Sequence, residues 1–181
     1  SCCGLPAVSM GEKSAARDVG LQNIDAFDNE DVDYIVTLCA SCASHLKHGV
    51  PKLVKDYAPQ KAAAFADKVI SYSQFMADVV GLEPKPGQGK DVAFHSPCHL
   101  CRGLGEKQSP KTVIAASGNT YVPTAEEETC CGFGGSFSAN FPGVCNEILT
   151  QKLEDVEKSG ASLLVTECPG CVMQITDTVS R

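Results

Sequence analysis

Nothing in this 181-residue sequence approaches the roughly 18 consecutive apolar residues that cross a bilayer, so no membrane-spanning helix is expected. Positive charge is scarce. Lys and Arg number 15 against 22 Asp and Glu, a net charge of −7. Phosphate contacts need a basic surface, so nucleic acid is not an expected partner. There is no G-x-G-x-x-G fingerprint: Gly132, Gly134 and Gly135 have the wrong spacing, and no suitable acidic residue follows them. No signal peptide is recognisable, and neither is a starting Met. The chain opens inside a motif, which reads as a fragment of a longer protein. What remains is an ordinary globular composition, 43% hydrophobic and 20% charged. It is long enough for one domain, or two small ones, with a real core.

Against that background stand 11 cysteines. Five of them, Cys98, Cys130, Cys131, Cys168 and Cys171, follow the order C-x31-C-C-G-x35-C-x-x-C. Four recur earlier: Cys2-Cys3-Gly4, then 34 residues, then Cys39-x-x-Cys42. A shift of 129 residues lays Ile35-Val36-Thr37-x-Cys39 on Leu164-Val165-Thr166-x-Cys168, and a shift of 128 lays Cys2-Cys3-Gly4 on Cys130-Cys131-Gly132. One insertion or deletion separates the two anchor points. This period is too long for a solenoid, so it reads as two related halves. The halves differ, because the first begins at Ser1, too late for a counterpart of Cys98.

An odd number of cysteines, adjacent pairs and a chain of this size argue against a secreted disulfide scaffold. Repeated C-x-x-C in a chain without a signal peptide fits metal chemistry in a reducing compartment, ahead of dithiol redox or structural disulfides. Paired thiolates suit a soft metal centre, an iron–sulfur cluster above all.

Local patterns place these residues. Segments 33–38 and 162–166 are short apolar runs typical of buried parallel strands. Val92–Phe94 is a third, leading to His95 and Cys98, and 120–123 a fourth. Helices are expected over 13–29, with Ala16, Val19, Leu21, Ile24 and Phe27 toward the core. A second is expected over 142–159, with Val144, Ile148, Leu149, Leu153 and Val156 inward and Gly160 as its stop. A third is expected over 109–117. Alternation of strands and helices predicts an α/β fold: two tandem, duplicated α/β units with short parallel sheets and the cysteine motifs at strand C-terminal ends. The first half spans 1–82, residues 83–90 are the linker, and the second half spans 91–181. Each C-x-x-C then opens a helix, where unpaired N–H groups favour thiolate. Gly4 and Gly132 allow tight turns, as do Gly134 and Gly135; a lone glycine marks only a turn, but here several features converge in each half.

These motifs, with His95-Ser96-Pro97-Cys98-His99-Leu100-x-Arg102, resemble the cysteine-rich CCG domain family over nearly the whole chain. That family includes the B subunit of heterodisulfide reductase and the iron–sulfur subunits of glycolate oxidase, lactate-utilisation dehydrogenases and anaerobic glycerol-3-phosphate dehydrogenase. Residues 23–27 and the 130–137 loop look most like the lactate and glycolate subunits. In that family a ferredoxin-like region usually comes first; no C-x2-C-x2-C-x3-C run is present here, so that part is expected to be absent or removed.

The resemblance implies that Cys98, Cys130, Cys131, Cys168 and Cys171 hold a [4Fe–4S] cluster, of the non-cubane kind in heterodisulfide reductase. Cys2, Cys3, Cys39 and Cys42 match a second site lacking its first thiol. It is either empty, completed by upstream sequence, or occupied by an iron–sulfur cluster or by zinc, which four thiolates suit. Cys145 reads as a buried small hydrophobe, and Cys101 as that or a substitute ligand. His95 and His99 flank Cys98; His95 is expected either to donate to a cluster sulfur or handle a proton, or to be a structural histidine. Arg102 is expected either to offset cluster charge or to be a surface arginine, and His45 and His48 read as polar surface.

The expected function is electron transfer from a flavoprotein dehydrogenase partner, oxidising a 2-hydroxy acid such as lactate or glycolate, to another acceptor. The alternatives are a disulfide-reducing catalytic cluster and a zinc-stapled interaction domain. The expected location is cytoplasmic, or at the inner membrane face through partners.

Overall fold

The computed structural model describes residues 2–28, 31–83, 85–86 and 89–179. It divides into two compact units, Ser1–Ser71 and Tyr72–Arg181. The division falls earlier in the chain than the expected 83–90 linker, of which Pro84, Gly87 and Gln88 lie outside the described residues. Its reason is packing: the helical turns at 72–79 rest on the helix at 109–116, inside the second unit.

The first unit begins with α1 (Leu5–Ser9) and α2 (Lys13–Asp28), runs into β1 (Ile35–Thr37), and continues through α3 (Ala40–Ser44) and α4 (Val50–Leu53). A π-helical turn, His45–Gly49, joins α3 to α4, so residues 40–53 form one helical run with a local bulge. Then come α5 (Pro59–Lys68), which starts at a proline as helices favour, and β2 (Val69–Ser71). β1 and β2 pair in parallel, Ile35 with Val69 and Thr37 with Ser71. Ala16, Gly20 and Ile24 are the buried face of α2. Gly20 admits close approach, since a Cβ there would sit 3.2 Å from Val50 Cγ1.

The second unit holds α6 (Tyr72–Gln74), β3 (Asp91–Phe94), α7 (Ser109–Ala116), β4 (Thr120–Tyr121), α8 (Ser136–Asn140), α9 (Pro142–Ser159), β5 (Leu163–Val165) and α10 (Pro169–Val179). Further π-helical turns cover Phe75–Val79 and His99–Gly103. The sheet order is β4-β3-β5, all parallel. Central β3 is buried from Val92 to Phe94, as a strand covered on both faces requires. Gly160, at φ 71°, caps α9 in the left-handed conformation.

All four expected strands and the three long helices are present. The inward face of α9 differs from expectation. It is formed by Cys145, Leu149 and Lys152, while Val144 is 52% exposed. The helix is turned toward the 130–135 loop, whose Gly132 lies directly on the Cys145 backbone. Among the described residues no helix is long and apolar enough to cross a membrane.

Leu149, fully buried, packs in one cluster with Cys131, Cys168, Cys171 and Ile175. Leu149→Ala should therefore cost about 3 kcal/mol through the cavity it leaves. In thermal unfolding that is a fall in Tm of roughly 6–12 °C for a chain of this size.

Candidate metal centre

The second site is assembled by strand direction. β3 and β5 are parallel neighbours, with Phe94 opposite Val165, so both chains leave the sheet at the same edge. His95 N–H donates to the Val165 carbonyl at 2.9 Å and extends the ladder by one residue. From there β3 delivers His95, Ser96 and Cys98, and β5 delivers Thr166, Cys168 and, one helical turn later, Cys171. Ligand sites in α/β folds collect at this edge. The 122–131 loop crosses the same edge, held by Ser96 N–H donating to Glu127 O at 3.1 Å. It brings Cys130 and Cys131.

The five thiols form one continuous run. Cys98 bonds Cys130, Cys130 bonds Cys131, Cys131 meets Cys171 at 3.2 Å between sulfurs, and Cys171 bonds Cys168. None of the 11 cysteines is in a disulfide. Protons are shared along the run. Cys130 receives bonds from the Cys131 and Cys98 thiols, and the Gly132 N–H lies 3.3 Å from its sulfur. These favour its thiolate form and hold its pKa down at about 2. Bonding to Cys130 pushes Cys131 up to about 11 and Cys98 above the ordinary thiol range. Bonding to Cys131 and Cys168 raises Cys171 in the same way. A set of sulfurs that shares protons at such contact is chemically suited to share a soft metal.

Buried polar atoms lacking partners surround these sulfurs. Both ring nitrogens of His95, which is 0% exposed, have no hydrogen bond, and neither do Ser96 Oγ and Thr166 Oγ1. One His95 nitrogen and the sulfurs of Cys131 and Cys171 lie within 4.8 Å of one another. Orphaned buried donors are costly in a folded protein and need an acceptor. Sulfides and thiolates are acceptors of the right kind, so the surroundings fit an iron–sulfur group as well as the sulfurs do. Burial, then the nearby Lys152 charge, lower the His95 pKa to about 4, which leaves the ring neutral.

The first site repeats the plan with four thiols. Cys2 bonds Cys3, Cys3 bonds Cys42, and Cys42 bonds Cys39. Gly4 N–H lies 3.4 Å from Cys2 Sγ, as Gly132 does from Cys130, and both glycines have left-handed φ, 92° and 86°. Cys39 caps α3, accepting from Cys42 N–H at 3.4 Å. The bond from Cys42 lowers Cys3 to about 6. His45, expected at the surface, is instead 6% exposed. Its Nε2 is 3.6 Å from where a Gly4 Cβ would stand, and Gly49 leaves room for its ring. His45 continues the buried run of Ala43 and Ser44 into the π-turn, whereas His48 is exposed as expected.

Two spare cysteines lie outside both runs. Cys145 is 1% exposed within α9, as expected of a small hydrophobe, and Cys101 is buried with its sulfur toward the Cys98 carbonyl at 3.9 Å. His99 is exposed. Arg102 donates to the Glu128 carbonyl at 3.1 Å, and its charge acts to lower the Cys98 pKa.

Sequence reasoning missed Lys152 and the acidic loop it holds. Lys152 Nζ donates to the carbonyls of Glu126 and Glu127, the latter at 3.0 Å, just ahead of Cys130. Asp155 accepts from the N–H groups of Ala125 and Glu126, and Lys111 pairs with the Glu127 carboxylate at 3.1 Å. A lysine inside an amphipathic helix reads as solvent-facing; only its spacing from Cys145 and Leu149 carried a signal.

Gly132 is the most constrained glycine of the site. A Cβ would lie 2.7 Å from the Cys145 carbonyl, in a φ that side chains avoid. Gly132→Ala should cost about 3 kcal/mol from the left-handed strain plus overpacking. In chemical denaturation the midpoint should fall while the m-value is unchanged.

A family model described as a cysteine-rich domain, CCG, matches residues 1–47 and 92–176, one stretch across each thiol run. Lactate utilization protein A from Bacillus cereus (strain G9842) is 32% identical over 184 residues, covering 99% of this chain and 76% of that protein. The protein of the same name from Geobacillus sp. (strain WCH70) is 34% identical over 186 residues, covering 100% and 76%. The one from Bacillus cytotoxicus is 33% identical over 184 residues, with 99% and 76% covered. With matched sequence around both double cysteines and both C-x-x-C pairs, this chain belongs to the cysteine-rich CCG domain family.

Proposed function

We propose that this chain is an iron–sulfur subunit of a lactate-utilisation system. In this reading Cys98, Cys130, Cys131, Cys168 and Cys171 hold a [4Fe–4S] cluster in the second unit. The subunit relays electrons from a flavoprotein partner, which oxidises a 2-hydroxy acid such as lactate, to a further acceptor. The observation that carries the reading is the single run of five thiols at one strand edge. The names of the relatives, lactate utilization protein A, support the substrate class.

When bound, an iron–sulfur cluster supplies one-electron storage and release at a potential tuned by its surroundings. The chain's own residues define those surroundings. Cys131, Cys168 and Cys171 are buried, whereas Cys98 and Cys130 are half-buried, so the site opens on the side of the latter pair. Leu149, Ile175 and the partly buried Phe133 keep water from the inner side. Gly170 lets the Phe133 ring lie against the C-x-x-C turn, since a Cβ there would be 2.8 Å from the ring. His95, whose ring nitrogen is within 4.8 Å of the Cys131 and Cys171 sulfurs, is the nearest donor to them, and the unpartnered Ser96 and Thr166 hydroxyls are further candidates. The four-thiol set of the first unit suits a tetrahedral ion such as zinc, or a second iron–sulfur group. A cytoplasmic location, with or without attachment to the inner membrane face through the partner, accords with thiols kept reduced.

Anaerobic purification with iron, acid-labile sulfide and zinc counted per chain tests the reading. About four irons and as much sulfide are expected from the second unit, lost on Cys131→Ala and kept on Cys3→Ala. Zinc without sulfide would overturn it. Turnover of a disulfide substrate with a reduced dye would replace relay by catalysis of the heterodisulfide reductase kind.

A further inference from the structure

Helix α9 buries a lysine. Lys152 is 1% exposed, and among the described residues no other lysine or arginine is buried. An ammonium removed from water is costly unless it is paired and hydrogen-bonded. Here it is met by two backbone carbonyls, those of Glu126 and Glu127, and it takes part in none of the four ion pairs among the described residues. The carboxylates around it have other duties. Glu127 is paired with Lys111 and accepts from the Tyr121 hydroxyl, Glu126 accepts from Thr129, and Asp155 accepts from two backbone N–H groups. The ammonium nevertheless stands close behind the thiol run. The carbonyls it holds stand four and three residues ahead of Cys130, and Leu149, one turn earlier on the same helix face, packs against Cys131, Cys168 and Cys171.

The first unit shows what the hydrogen bonds alone require. The buried residues Ala16 and Gly20 of α2 align with Cys145 and Leu149 of α9 at a shift of 129, and the same shift sets Asn23 on Lys152. Asn23 Nδ2 donates to the Cys2 carbonyl at 2.9 Å. At both positions, therefore, a side-chain nitrogen holds the backbone that leads into the double cysteine. A neutral amide suffices in the first unit. In the second unit the same task is given to an ammonium, whose positive charge the task does not need, and it stands beside the fuller set of thiols.

We infer that Lys152 is a positioning residue whose buried charge sets the reduction potential of the redox centre on the second thiol run, making that centre easier to reduce. This rests on the iron–sulfur reading above. Adding one electron makes and breaks no bond; it adds one negative charge to a group already carrying thiolates. A fixed cation in a poorly screened interior stabilises the reduced state more than the oxidised one. The electron comes from the chemical reductant of the titration, or from the flavoprotein partner in the assembled system.

The test is an EPR-monitored redox titration of the full chain, loaded anaerobically and counted for iron and sulfide. It compares the wild type with Lys152→Gln, Lys152→Arg and Lys111→Gln. In Lys152→Gln the equilibrium constant for one-electron reduction should fall about tenfold or more, which is about 59 mV toward negative potential. Lys152→Arg keeps the charge and should stay near wild type. Lys111→Gln loosens the same 126–128 loop without removing the buried charge, and should also stay near wild type. If Lys152→Gln loses its iron, Lys152→Met, which keeps the apolar stem, is read by the same criteria. An unmoved potential in the loaded neutral variant overturns the inference. Equal shifts in Lys152→Gln and Lys111→Gln also overturn it, because they assign the effect to loop placement. A wild-type chain that takes up no iron and sulfide sinks the iron–sulfur reading itself, a failure seen before any variant is made.

Discussion

Parallel pairing of β3 with β5 is the constraint on which the second site depends. Two neighbouring parallel strands end at the same edge, so residues far apart in sequence leave the sheet side by side. Cys98 and Cys168, 70 residues apart in the chain, reach one place because Phe94 pairs with Val165. The third contributor, the loop carrying Cys130 and Cys131, has no strand to align it. It is held instead by polar contacts: Ser96 and Lys152 to its carbonyls, Asp155 to its N–H groups, and Lys111 to its carboxylate. Loop backbone near a buried site must satisfy its polar groups, and this one does so through charged side chains rather than a ladder.

The same physics runs through both units at different completeness. Each double cysteine turns on a left-handed glycine whose N–H lies against the first thiol, and each second thiol meets the last cysteine of its C-x-x-C. What differs is the supporting cast. The second unit has a fifth thiol, an orphaned buried imidazole and a buried ammonium; the first has four thiols, a buried histidine at the start of a π-helical turn and a neutral asparagine. Near-identical local geometry can thus serve centres of different charge, since local turns depend on backbone angles and charge depends on a few side chains.

Much of this was legible before any coordinates. The four strands and the three expected helices followed from short apolar runs, from helical spacing and from Gly160 as a stop. The grouping of cysteines followed from their doubled spacing. Less legible was which helix face turns inward: in α9 Leu149 is buried as expected, yet the apolar pattern also favoured Val144, and close approach at Gly132 drew Cys145 and Lys152 inside instead. The division into compact units also falls earlier than composition suggested. A Pro/Gly-rich stretch marks irregular backbone, but the division follows packing, and residues 72–79 pack on α7. His45 escaped notice because a histidine beside Lys47 and His48 reads as polar surface, and only the approach of Gly4 and Gly49 shows that its ring is enclosed.

By itself the sequence determined the chemistry on offer: a doubled set of thiols, the glycines to turn beside them, and strands and helices to carry them. Those depend on residue type and on short-range periodicity, which are written along the chain. Only the tertiary structure decided which thiols touch, in what order they share protons, and which polar groups are shut away from water with them. Contact order around a site and burial of a charge arise from distant segments meeting. Nothing local to Lys152 distinguishes a surface residue from one enclosed behind the loop that carries Cys130 and Cys131.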